Sequence, residues 1–109
     1  MSEQELAVSV KTQQAASLYG IASVIVGTGK APDKSTLKTI VKQTRKAVLA
    51  DLGQDAGWAI MRANKEPIEQ YLKGVKNDPR LDGIQTFKMY QAAVDDLAES
   101  CMKGYKALF

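Results

Sequence analysis

The chain has 109 residues, 45% hydrophobic and 25% charged, enough to bury one core and too apolar for wholesale disorder. It contains no histidine and one cysteine, Cys101. The side chain best suited to proton transfer near neutrality is therefore missing, and neither an ordinary structural zinc site nor an internal disulfide can form. The net charge is only +3, yet residues 30–46 alone carry a local +5, from Lys30, Lys34, Lys38, Lys42, Arg45 and Lys46 against Asp33.

Taken in chain order, the pattern is helical almost throughout. Ser2 followed by Glu5 has the spacing of a capping box, in which each side chain satisfies an orphan amide of a first turn. A helix from there to about residue 26 is polar at first and then apolar all round, through Leu18, Tyr19, Ile21, Val24, Ile25 and Val26. A helix with no polar face belongs at the centre of a core. The β-branched run 21–26 would also suit a strand, but no second strand exists to pair with it. The apolar stretch 15–27 is shorter than the roughly 20 residues that cross a bilayer. The first residues lack the cationic lead of a secretory signal, and a single cysteine favours a reducing compartment, so the expected location is cytoplasmic.

The segment 27–32, Gly-Thr-Gly-Lys-Ala-Pro, ends that helix. Asp33 or Ser35 caps a second helix reaching Leu52, with Leu37, Ile40, Val41, Thr44, Ala47 and Val48 on one face and the cations on the adjoining one. Gly53 stops it and Asp55 caps the next. Trp58, Met61, Ile68, Leu72 and Val75 keep helical phase over 55–76, but Pro67 divides this stretch into two short helices jointed near Asn64 or Lys65. Residues 77–83 form a loop, and Asp82 with Gln85 caps a last helix over 84–108. Its seam of Phe87, Tyr90, Val94, Leu97, Cys101, Gly104 and Leu108 alternates spacings of three and four, which suits an intrachain bundle or a coiled-coil contact in a homodimer.

Motifs for chemistry fail on their spacing. Gly27-Thr28-Gly29-Lys30 is not a phosphate loop, because Val24 stands where its first glycine belongs and Ala31 follows the lysine. Ser35-Thr36-Leu37-Lys38 matches a serine acyl-enzyme tetrad without its companion motifs, and a cap explains Ser35 better. Asp95, Asp96 and Glu99 cluster among lysines on a helix surface, which reads as a solvated face. Cys101 lies on the apolar seam as a small hydrophobe, with no histidine to activate it. No motif carries a family resemblance.

The expectation is a single all-α domain over 1–109, a compact bundle of four or five helices with a long C-terminal helix. It has no catalytic, cofactor-binding or metal-binding residues. The expected function is a non-enzymatic protein–protein interaction or regulatory module, with self-association as a further expectation. The alternative is a nucleic-acid-binding regulator. In both, Lys34, Lys38, Lys42, Arg45 and Lys46 meet an anionic partner, since helix surfaces are ordinarily kept soluble with mixed signs. Without exposed aromatics on that helix, nucleic-acid contact would be to phosphates rather than bases.

Overall fold

The computed structural model describes residues 8–109. Among them are three helices and no strand: α1 (Val10–Gly27), α2 (Lys34–Lys76) and α3 (Gly83–Leu108). The all-helical expectation holds, and the count of four or five is corrected to three. The break expected at Gly53 is present as a kink inside α2, with no loop between its two arms, whereas the division expected at Pro67 does not form. The Ser2–Glu5 capping pair lies outside the described residues.

α1 starts at Ser9, whose hydroxyl accepts the Thr12 amide at 3.1 Å. It is the central element, burying Ala15, Ala16, Leu18, Tyr19, Gly20, Ala22 and Ile25 around most of its circumference. The run 21–26 is helix, as the lack of a pairing strand requires. At its end, Thr28 Oγ1 donates to the Ile25 carbonyl at 2.6 Å and accepts the Lys30 amide at 3.1 Å. Gly29 adopts φ 72° in the turn that follows.

α2 is entered through Asp33, which holds φ 49° and accepts the Thr36 amide at 3.3 Å. At Gly53 the backbone takes φ 80°, ψ 179°, a conformation nearly confined to glycine, and the helix folds back on itself. A straight helix would hold Leu37 and Leu72 roughly 50 Å apart. Instead both join one core cluster with Ile25, Val94 and Cys101, so the arms 34–52 and 54–76 run side by side. The arms are close at Gly57, where a Cβ would meet Leu49 Cδ2 at 2.8 Å.

Pro67 does not end the second arm. Its missing amide leaves the Ala63 carbonyl without its usual helical donor. Ala63 and Pro67 are both exposed, so water can reach that side of the helix. Met61 and Leu72, buried before and after the proline, hold the arm on the core. At the same level α1 comes so close that a Cβ on Gly20 would lie 2.5 Å from the Asn64 carbonyl oxygen.

The loop before α3 is pinned by Asp78, which accepts from Arg80 Nε at 3.0 Å, Nη2 at 2.7 Å and the Arg80 amide at 3.0 Å. These hydrogen bonds draw the Asp78 carboxyl down to about 2. The capping box expected at Asp82 forms in both directions, with Gln85 amide to Asp82 Oδ1 at 2.8 Å and Asp82 amide to Gln85 Oε1 at 3.1 Å. α3 then buries Ala93, Val94, Ala98 and Cys101, while Tyr90, Leu97 and Leu108 are half-buried. Most of the expected seam thus packs within the chain. Its first member is a correction: Phe87 is 58% exposed, because the first turn of α3 overhangs the core. Trp58 also sits at the edge, 37% exposed, packing edge-on against Tyr19 at 6.3 Å between centroids. The C-terminal Phe109 stacks on Tyr105 at 4.9 Å.

Candidate functional site

The first arm of α2 turns its apolar residues inward in helical phase. Leu37, Ile40, Thr44 and Val48 are buried, and the Thr44 hydroxyl is satisfied by the Ile40 carbonyl at 2.7 Å. This fixes the rotation of the arm and therefore the direction of its cations. Lys34, Lys38, Lys42 and Lys46 are exposed, and Arg45 is half-buried beside them. At 100° and 1.5 Å per residue the five fall in a sector of roughly 120° over a length of roughly 18 Å. All five candidate residues are brought together on one face.

The nearby acids are engaged elsewhere. Asp33 caps the arm, and Asp51 at its far end accepts a hydrogen bond from Thr12 Oγ1. The ion pairs among the described residues are Arg80–Asp78 and Lys103–Glu99, so no carboxylate described there neutralises the stripe. Neighbouring cations at i,i+3 and i,i+4 repel by about 0.2–0.5 kcal/mol per pair. Lys34/Lys38, Lys38/Lys42, Lys42/Lys46 and Lys42/Arg45 make such pairs. The free domain is therefore destabilised by its own surface, to the extent of about 1–2 kcal/mol at low salt.

A second feature was not read from the sequence. At one end of the bundle a groove of about 690 Å³ opens between the last turn of α1, the last two turns of α2 and the first two turns of α3. Val24, Leu72, Phe87 and Tyr90 provide its apolar lining, and Lys30, Lys73, Lys76 and Glu69 its charges. The Lys30 ammonium stands 4.9 Å above the Phe87 ring. Gln91 Nε2 donates to the Lys30 carbonyl at 2.9 Å and ties the α1–α2 turn to α3. The signal available in the sequence was weak, because its contributors come from three separate segments, 24–30, 69–76 and 83–90. The turn 27–30, which fails as a phosphate loop, is a helix-ending turn that forms one edge of this groove.

Other chemically capable residues are placed away from both features. Cys101 is fully buried with Sγ 3.6 Å from the Leu18 carbonyl, and burial pushes its thiol up to about 11. A thiol held protonated inside the core is a poor nucleophile. Asp95, Asp96 and Glu99 are exposed on α3, with Glu99 paired to Lys103 at 3.1 Å. Among the described residues no three Cys, Asp or Glu side chains converge to hold a metal ion, and no helix is long and apolar enough to cross a membrane. Comparison with protein families, curated proteins and solved structures finds no match to this chain.

Proposed function

We propose that this protein is a non-enzymatic interaction module that docks an acidic protein partner on the first arm of α2. The observation that carries the reading is the exposed, unneutralised row of Lys34, Lys38, Lys42 and Lys46 with Arg45. A helix that tolerates this self-repulsion gains most when an anionic surface covers it. A protein partner is favoured over single-stranded nucleic acid because the stripe holds no aromatic ring on which an unpaired base could stack.

Self-association through the α3 seam forms no part of this reading, since Val94 and Cys101 are fully buried in the chain's own core. A reducing compartment such as the cytoplasm suits a chain whose single thiol has no partner. Binding of fluorescently labelled poly-L-glutamate and of a short DNA duplex, each followed by anisotropy, tests the proposal. Wild type is expected to bind poly-L-glutamate saturably, and the K38E/K42E/R45E variant to lose that binding while keeping its helical circular dichroism. Equal binding by both proteins overturns the proposal. Tighter, equally stripe-dependent binding to the duplex replaces it with the nucleic-acid reading.

A further inference from the structure

We infer that the groove at the end of the bundle is a binding site for a small amphipathic organic anion, a carboxylate or sulfonate head on an apolar body. The groove is a different surface from the α2 stripe, and the inference does not rest on the stripe's partner. Its volume of about 690 Å³ lies inside the roughly 300–1,000 Å³ range of small-molecule sites. The composition has the usual division of labour: an apolar lining supplies contact area and a few charged groups fix orientation. Val24, Leu72 and Tyr90 also belong to the core or pack directly against it, so that part of the wall is held in place without a ligand.

The charge balance chooses the head group. Three ammonium groups, on Lys30, Lys73 and Lys76, face one carboxylate, on Glu69. None of the four takes part in an ion pair among the described residues. Lys73 and Lys76 also sit in the last turn of α2, where cations complement the helix dipole, and that alone would account for two lysines on a solvated surface. It does not account for Lys30, which comes from the α1–α2 turn and stands over Phe87 of α3. Cations therefore enter the groove from two separate segments. The exposed Phe87 ring, unfavourable in water, would be covered by the apolar body of the ligand.

Calorimetric titration with decanoate, with decan-1-ol as the uncharged control, tests the inference. Wild type is expected to bind decanoate at one saturable site. Decan-1-ol is expected to bind about tenfold more weakly, as are decanoate with K73Q/K76Q and decanoate with Phe87→Ala. All of these positions are exposed, so both variants should remain folded. The K38E/K42E/R45E variant is expected to bind decanoate like wild type, which separates this site from the stripe. Absence of saturable binding, equal affinity for the alcohol, or full affinity in K73Q/K76Q overturns the inference.

Discussion

Replacing Gly20 with alanine tests how closely α1 lies against the second arm of α2. The new methyl would be placed 2.5 Å from the Asn64 carbonyl oxygen, 2.6 Å from its carbon and 3.0 Å from the Lys65 nitrogen. All three atoms are backbone, so no side-chain rotation relieves the clash. Ordinary contact needs about 3.5 Å, and the two helices must therefore separate by up to about 1 Å. Overpacking of this kind costs about 1–3 kcal/mol, and the higher helix propensity of alanine returns about 1 kcal/mol. The net expectation is a loss of up to about 2 kcal/mol, or up to roughly 10 °C in Tm for a domain of this size. The same substitution at Gly74, where nothing lies within 4 Å of the added methyl, should instead raise stability by about 0.5–1 kcal/mol. Urea unfolding followed by circular dichroism measures both. A Gly20→Ala protein with a midpoint raised as far as that of Gly74→Ala, at unchanged m-value, would refute the packing described at Asn64.

Three further outcomes follow from the same structure. Gly53→Ala forces a methyl-bearing residue into φ 80°, ψ 179° and should cost about 1–3 kcal/mol in the same assay, although nothing lies near the new methyl. Lys42→Glu replaces repulsion with attraction towards Lys38, Arg45 and Lys46, so it should stabilise the free protein by about 1 kcal/mol at low salt and by less as salt is added; a destabilised variant contradicts the account of the stripe. The Cys101 thiol loses its proton near 11 in the folded protein and near 9 in a free chain. Its contribution is fully present below pH 9 and is lost as pH rises towards 11, because the unfolded state binds fewer protons across that window. Relative to Cys101→Ala, wild type should lose roughly 2 kcal/mol between those values, and parallel pH curves for the two proteins would show that the thiol is not buried.

The fold class was legible because apolar periodicity, caps and the lack of strand partners all agree. Asp82 was identifiable as a cap because its partner Gln85 lies three residues away, within local reach, whereas the choice between Asp33 and Ser35 was open in the sequence and falls to Asp33, with Ser35 inside the helix. The helix count was not legible, for two reasons. A glycine at position 53 signals a break without saying whether a loop follows, and here a single residue reverses the chain between two helical arms. The tolerance of Pro67 depends on which side of the arm faces water, which only tertiary packing decides.

The stripe could be read from sequence since a helical face is a local property, whereas its freedom from acidic partners needed the structure. Phase alone placed Phe87 on a seam that ends one turn later, at Tyr90. The groove was invisible for the same reason, since Val24, Leu72 and Tyr90 meet only when all three helices are assembled.

Amide chemical-shift mapping during titration with poly-L-glutamate examines the cationic arm of α2 most directly. The account predicts shifts that saturate and concentrate on residues 34–46, vanishing in K38E/K42E/R45E. Shifts centred elsewhere, or none at millimolar peptide, would contradict it.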